Sequence, residues 1–292
     1  MKEIDLSHKR IQGGYFTLNS APATSVQWQA DTGKDEYFVG TYRDSGSPIR
    51  DSLIELLRSA KTNVFIASFV LGDQLVIDEI VAAADRLTGG VYVITALDER
   101  SLRRGLEEYD QDESNESPEE RRKNFERLTS RGVYVRGHES CHAKFAIADN
   151  SLALVGSANF VTNGFTWTGE ANVVIRSTSE VGRLKRLFTQ LWYNGCTYEI
   201  PPGITYKVAQ RKPVASPAQL PTEQTSPGSI VWTNNSESMS LLECIKAVIN
   251  SAKSSLILSS YSIVGMKSNP VLLFNDVISA VRRGVDVSLF VR

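Results

Sequence analysis

The sequence has few cysteines, and the three that it has are far apart: Cys141, Cys196 and Cys244. A small, odd and scattered set does not build a disulfide framework, so we expect free thiols in a reducing compartment. The first residues lack the apolar run of a secretory signal. No segment approaches the roughly twenty apolar residues of a membrane span. We therefore expect a cytoplasmic protein without a membrane anchor.

The sequence also has little excess charge, with a formal net charge of −1. A chain this close to neutrality has no global basic field, so any contact with nucleic acid must use a local basic surface. Its 292 residues, 41% of them hydrophobic, are enough for one large or two medium globular domains.

The most informative stretch is the segment 142–159, which reads H-x-K-x4-D-x6-G-S-x-N. Its six specified positions are His142, Lys144, Asp149, Gly156, Ser157 and Asn159. At ordinary residue frequencies such a match arises by chance about 10⁻⁸ times per starting position.

The pattern around this motif predicts a hairpin. Residues 144–149 are predicted as a buried strand, on which side chains two apart share a face, so His142 and Lys144 point the same way. Turn residues follow at 149–150, and 151–155 is predicted as the returning strand. The hairpin would bring an imidazole, an ammonium, a hydroxyl and an amide around a glycine backbone. These groups suit an anionic phosphoryl centre.

These residues resemble the HKD motif of the phospholipase D superfamily, which includes phospholipases, phosphatidyltransferases and metal-independent nucleases. The resemblance implies that His142 is the nucleophile that forms a phosphohistidine, or else the general acid of the pair. It implies that Lys144 and Asn159 hold the non-bridging phosphate oxygens and that Ser157 hydrogen-bonds within the same cluster. No metal and no cofactor are implied.

Three further residues complete the implied site. Asp149 matches an aspartate that is mainly structural in the family, and Gly156 supplies bare backbone. Glu170 stands where family members carry a carboxylate that orients the catalytic imidazole. A carboxylate on the ring N–H fixes the tautomer of a nucleophilic histidine.

Other interpretations of the motif are a degenerate, inactive copy and a zinc site. His138, Cys141 and His142 are possible zinc ligands, but no second ligand pair follows at a metal-binding spacing. A Cys141–His142 dyad is excluded on a strand, because adjacent residues face opposite sides.

Helices and strands alternate on both sides of the motif. We predict an α/β fold, a phospholipase-D-like α-β-α sandwich with a mostly parallel mixed central sheet. The predicted domains are a β-rich extension at 1–46, a first phospholipase-D-like domain at 47–200 and a linker at 201–230. The linker holds six of the ten prolines.

Residues 231–292 repeat the start of the first domain. Ser251-Ala-Lys followed by an apolar strand copies Ser59-Ala-Lys followed by another. This second copy reaches Arg292 before any second HKD motif. Two-repeat members of the family place one HKD from each repeat in a shared site. The second motif is therefore expected from sequence beyond Arg292, which the half-repeat favours, or from a partner chain in a homodimer.

The function that these features favour is metal-independent phosphodiester hydrolysis of nucleic acid, with DNA preferred to RNA. The alternatives are an enzyme acting on lipid phosphodiesters and an inactive scaffold that binds nucleic acid or a partner protein. Analogy with restriction and defence nucleases adds a helicase or another defence or repair protein as an expected partner, and no membrane.

Overall fold

The structure is a computed structural model that describes residues 33–41, 46–97, 117–203, 207–212, 230–233, 240–260 and 273–291. The chain divides into two compact units. One is Gln27–Glu223, and the other combines Met1–Val26 with Gln224–Arg292. Each unit is described by itself below.

The first unit is built on one mixed sheet. Among the described residues it has nine strands, in the order β1-β7-β6-β5-β2-β3-β4-β8-β9. Their bounds are β1 Glu36–Thr41, β2 Val64–Ser68, β3 Val91–Thr95, β4 Tyr134–Gly137, β5 Phe145–Ala148, β6 Leu152–Gly156, β7 Glu170–Ile175, β8 Tyr198–Ile200 and β9 Ala209–Gln210.

Helices cover both faces of this sheet. They are α1 Pro48–Ser59, α2 Gln74–Arg86, α3 Pro118–Ser130, the short α4 Thr162–Thr166 and α5 Thr178–Gln190, which continues into a π-helical turn, Leu191–Gly195. Buried side chains of α1, α2 and α3 share one core with Val64 and Ile66 of β2. Phe65, between them on the strand, points to the other face and packs against Phe188 of α5. The predicted α-β-α sandwich is therefore confirmed.

The prediction that the sheet is mostly parallel is wrong. Two of its eight strand pairings are parallel, β2–β3 and β3–β4, and the other six are antiparallel. The reason lies in the connections. Strands β5 and β6 form a hairpin and β7 returns beside β6, so this half of the sheet lacks the crossover helices that parallel neighbours require. Strands β1 and β8 then add antiparallel pairs at either side.

Local sequence signals account for the elements that lead to the motif. Helix α3 begins with a capping box in which the Ser117 hydroxyl accepts from the Glu120 N–H at 3.2 Å and the Glu120 carboxylate accepts from the Ser117 N–H at 2.8 Å. The helix ends at Ser130, Gly132 has a φ of +77°, and β4 follows.

Two edges of the sheet use residues from outside the predicted first domain. Strand β1, from the predicted extension 1–46, pairs with β7. The other strands predicted in that extension, near 15–18 and 25–28, lie outside the described residues. Strand β9, from the predicted linker 201–230, pairs with β8.

In the second unit the described elements are α6 Ser240–Ser251, β10 Ser255–Ser260, α7 Phe274–Arg282 and β11 Asp286–Val291. Strands β10 and β11 pair in parallel over a core that includes Ile249, Leu256, Val277 and Ala280. The order helix–strand–helix–strand, with a parallel strand pair, is that of α1, β2, α2 and β3.

Candidate active site

The motif residues other than Asp149 lie at the ends of strands in the large sheet, on the side where Ser68 ends β2, Gly156 ends β6 and Glu170 begins β7. Strands β2, β3, β4 and β6 end on this side, whereas β5 and β7 begin there. The segment before β5 therefore meets the segment after β6 and the first residue of β7. Antiparallel pairing of three consecutive strands is what brings the two halves of the motif together.

His142 and Lys144 are in direct contact on this side. The Lys144 Nζ lies 3.0 Å from each ring nitrogen of His142 and donates to the His142 carbonyl at 2.9 Å. His142 is exposed, whereas Lys144 is only 7% exposed. The predicted strand includes Lys144, but β5 begins at Phe145 and both motif residues lie in the irregular segment that precedes it. Their side chains nevertheless converge, as predicted.

Phe69 forms an apolar wall beside this pair. Its ring centroid lies 5.2 Å from that of His142, and the Lys144 Nζ is 5.6 Å from the Phe69 centroid. An aromatic face attracts a cation that has been withdrawn from water, by about 0.5–2 kcal/mol. The residue directly follows β2, so the end of a core strand limits where both functional groups can sit.

Ser157 and Glu170 form a second contact on the same side. The Ser157 hydroxyl donates to the Glu170 carboxylate and accepts from the Ala171 N–H at 3.0 Å. The Ser157 N–H donates to the Ala171 carbonyl at 3.1 Å. The carboxylate is thus held on the hydroxyl of the motif. The role expected for Glu170, orienting the His142 imidazole, stays a prediction.

Gly156 lies where no side chain fits. A Cβ on this residue would lie 2.3 Å from the Ala171 carbonyl oxygen and 2.3 Å from the Asn172 side chain. Its N–H donates to the Lys144 carbonyl at 3.1 Å. Because Gly156 has no side chain, β6 can pair with both β5 and β7 at the strand end that carries the motif side chains.

Asn159 is positioned through the residue that follows it. The Phe160 N–H donates to the Ser68 hydroxyl at 3.3 Å. The Phe160 carbonyl accepts from the N–H groups of Gly72 and Asp73, at 2.9 and 3.1 Å. Ser68 is fully buried at the end of β2. The backbone at Phe160 is thus held against the end of β2, which Phe69 directly follows.

Asp73 is a second buried support for this loop. Its carboxylate caps α2 by accepting from the Val76 N–H at 3.2 Å and accepts from Thr162 at 3.0 Å and Arg50 at 3.3 Å. Sequence reasoning missed Ser68 and Asp73. Their partners lie about 90 residues away, and neither belongs to the motif.

Asp149 lies at the other end of β5. It is five positions from Lys144, which is about 17 Å along an extended strand. Its carboxylate accepts from the N–H groups of Lys61, Thr62 and Asn63, at 2.9, 2.8 and 2.9 Å. Burial alone would raise the pKa of Asp149, but the three backbone donors outweigh it and lower the pKa below its usual value. The aspartate fastens the β5–β6 turn to the start of β2.

Asp149 variants provide the first stability prediction. The residue has a φ of +55°, which asparagine tolerates and alanine does not. We expect Asp149→Ala to lower the free energy of unfolding by about 3 kcal/mol and Asp149→Asn by about 1 kcal/mol. Urea unfolding measures both. Asp149→Gly is the control: it relieves the backbone strain of the alanine variant but does not restore the three hydrogen bonds. If glycine restored full stability, the three hydrogen bonds would contribute nothing.

The sign of the pH effect follows from the lowered pKa. The stabilisation by Asp149 is complete above the unfolded-state pKa of about 3.9 and is lost as the pH falls through the lower folded-state pKa. The stability difference between wild type and Asp149→Asn should therefore shrink on acidification below about pH 4. A difference that grew instead would contradict this assignment.

The residues of the alternative zinc site differ in exposure: Cys141 is buried, His138 is half-buried and His142 is exposed. The His138 ring packs beside Gly195, and its Nδ1 accepts from the Ser140 N–H at 3.1 Å. Burial raises the pKa of the Cys141 thiol to about 11 and that of Cys196 to about 12, so both are unreactive thiols at neutral pH. Within the described part of the chain, no three His, Cys, Asp or Glu side chains form a cluster suited to a metal ion.

The chain was compared with known proteins. The family model described as "Cardiolipin synthase, PLD-like domain" matches residues 53–192. A sequence comparison with curated proteins finds no match. None of the helices in the described ranges is long and apolar enough to cross a membrane.

The solved structures that this chain resembles include the following three. The phospholipase D family member Nuc from Salmonella typhimurium is 19% identical, and the match covers 57% of this chain and 99% of that one, with a TM-score of 0.45. NucT from Helicobacter pylori is 19% identical, with 55% and 98% covered and a TM-score of 0.38. Polyphosphate kinase from Porphyromonas gingivalis is 16% identical, with 88% and 38% covered and a TM-score of 0.51, a likeness of fold.

The matched segment 53–192 contains the whole motif, from His142 to Asn159, together with Glu170. It also contains most of the sheet and the loop that fixes Asn159. The segment 53–192 is therefore a PLD-like domain of the phospholipase D superfamily.

Proposed function

We propose that this protein hydrolyses phosphodiester bonds of nucleic acid, with DNA as its main substrate, through a covalent phosphohistidine and without a metal. The observation that carries the proposal is the contact between an exposed imidazole, His142, and a buried ammonium, Lys144, at 3.0 Å. The imidazole can reach a substrate in solvent, whereas the ammonium is fixed beside it.

The reaction has two steps. In the first, a ring nitrogen of His142 attacks phosphorus, a P–N bond forms, and the bond to the leaving oxygen breaks as that oxygen takes a proton from a general acid on the opposite side. In the second, water attacks the phosphohistidine, the P–N bond breaks, and the same group, now a base, takes the proton of the water. Lys144 balances the charge on the non-bridging oxygens, and the Asn159 amide donates a hydrogen bond to them. This fixed cation takes the place that Mg²⁺ has in many phosphoryl-transfer enzymes.

Polar side chains around the site support nucleic acid over lipid. Ser140, Ser157 and Thr168 are exposed in the motif and the segments that flank it, with Trp167 as an exposed aromatic residue beside Thr168. A lipid-directed enzyme has to bring acyl chains and an interface to the site, and a polar rim gives them little favourable contact. A sugar–phosphate chain is hydrated and charged, so it does not need apolar contacts around the site.

Side-by-side assays test the substrate. We expect single- and double-stranded DNA to be cleaved in excess EDTA, RNA to be cleaved more slowly, and phospholipid vesicles to remain intact. Binding to DNA should weaken steeply with salt, because each neutralised phosphate releases counterions. Turnover of lipid alone would replace this proposal by a lipid phosphodiesterase. Binding of DNA without any hydrolysis would favour an inactive scaffold.

The proposal extends to the cell. Buried thiols at Cys141 and Cys196 and an exposed thiol at Cys244 are compatible with the reducing cytoplasm. A helicase or another defence or repair protein is the partner we propose, by analogy with nucleases that act on DNA opened by other proteins. Co-purification from cells with tagged protein, before and after DNase treatment, tests for such a partner.

A further inference from the structure

An exposed tryptophan lies on the segment that joins the two parts of the site. Trp167 is 55% exposed and directly follows α4. The segment begins at Asn159 and ends at Glu170, both of which belong to the site described above. No step of the proposed reaction uses this side chain.

Hydrogen bonds fix the backbone at Trp167. Its N–H donates to the Asn163 carbonyl at 2.9 Å. The N–H and hydroxyl of Thr168 donate to the same carbonyl, at 3.1 and 3.2 Å. On the inner side of α4, Phe165 is fully buried and stacks on Phe160, with centroids 6.1 Å apart. The indole is thus presented to solvent by a turn that is packed on the core.

The position of Trp167 sets its reach. Glu170 is three positions further along the chain, so the two Cα atoms are at most about 11 Å apart. The Glu170 carboxylate contacts Ser157 of the motif. An indole at this distance can lie beside a group attached to the scissile phosphate, at about the separation between a phosphate and the base of its own nucleotide.

We infer that Trp167 stacks on a nucleobase next to the scissile phosphate and thereby selects nucleic acid as the substrate. The inference rests on the proposed function and adds a specificity-determining residue to it. Every base offers a flat face, so one aromatic ring binds a strand with little preference for sequence. The immediate neighbours of Trp167 are Thr166, Thr168 and Gly169, which do not extend the apolar surface as insertion into a membrane requires.

The experiment combines changes in the protein with changes in the substrate. Wild type, Trp167→Ala and Trp167→Phe are assayed on a short dT oligonucleotide and on a strand of the same length made of abasic tetrahydrofuran units. On dT, Trp167→Ala should raise KM about tenfold with little change in kcat, and Trp167→Phe should recover most of the loss. On the abasic strand all three proteins should have the same KM.

Tyr134→Ala is the matched control. Tyr134 is 45% exposed and is the first residue of β4, at the end of that strand remote from His142 and Lys144. This variant should retain the wild-type KM on both strands. Quenching of indole fluorescence by dT should also be larger for wild type than for Trp167→Phe. Thermal melting of each variant shows that the fold is retained.

The outcomes separate this inference from the proposed function. If wild type does not cleave dT, the proposed function fails, and the inference falls with it. Two results would overturn the stacking role alone, provided that wild type cleaves dT: Trp167→Ala has an unchanged KM on dT, or its KM is raised equally on dT and on the abasic strand. Loss of binding to anionic phospholipid vesicles, with binding to dT unchanged, would assign Trp167 to a membrane surface and overturn it as well.

Discussion

Replacing His142 with alanine is expected to lower DNA hydrolysis in excess EDTA by about 10⁴-fold or more. The imidazole both forms the bond to phosphorus and leaves it, so its loss removes the covalent route rather than one contact. Lys144 remains buried beside the vacated position and continues to attract phosphate. The variant should therefore bind DNA with an affinity close to that of wild type while failing to cleave it. Cleavage of end-labelled oligonucleotide and binding at the same ionic strength measure the two effects.

His138→Ala is the matched control for this prediction. It removes an imidazole four positions earlier whose ring packs beside Gly195. Its activity should stay within a few-fold of wild type, since this ring is used in packing. A quenched wild-type reaction should also contain a phosphorylated protein whose bond is labile in acid and stable in alkali, as a P–N bond is. Full cleavage by His142→Ala, or loss of cleavage on adding chelator, would exclude the mechanism.

The fold was largely predictable because its local signals agree with one another. The apolar period of residues 74–86 and the glycine pair at 89–90 that follows it predict α2 at its observed bounds, and Ser117 followed by a proline predicts the start of α3. Strand direction was the part that failed. Alternation of helices with strands indicates parallel neighbours, but the half of the sheet that carries the motif is built from hairpins. The turn at 149–150 was the local sign of this, and it was recognised as a hairpin but not extended to the sheet as a whole.

The site was predictable only as far as the motif extends. The contact between His142 and Lys144 was expected from two residues on one strand face, but both lie before β5, so the contact is present while the strand that predicted it is not. Ser68 and Asp73 support Asn159 from strands and helices far away in the sequence, and nothing in their own neighbourhoods marks them. Trp167 was also passed over, because an aromatic residue after a short helix resembles core until its exposure is known. Contacts between residues far apart in the sequence determine the roles of Ser68 and Asp73 and the exposure of Trp167.

We expect, last, that turnover needs a second imidazole. Of the two sources expected above, a second copy of this chain is the one that this chain can test. In-line displacement needs a nucleophile on one side of phosphorus and a proton donor on the leaving oxygen opposite, and one ring cannot occupy both places in one step. The sequence holds three histidines, of which His142 is the one in an H-x-K pair. Two chains related by a two-fold axis place identical groups on either side of a shared substrate.

Mixed dimers test this directly. Wild type and His142→Ala chains carry different affinity tags, are allowed to exchange, and the species that carries both tags is isolated. It retains one nucleophile but no proton donor opposite it, so its activity should fall by about 10²–10⁴-fold. A wild type–His138→Ala mixed dimer, isolated in the same way, should remain active. If the wild type–His142→Ala dimer keeps half of the wild-type activity, each chain works alone, and the proton donor must be another group on the same chain.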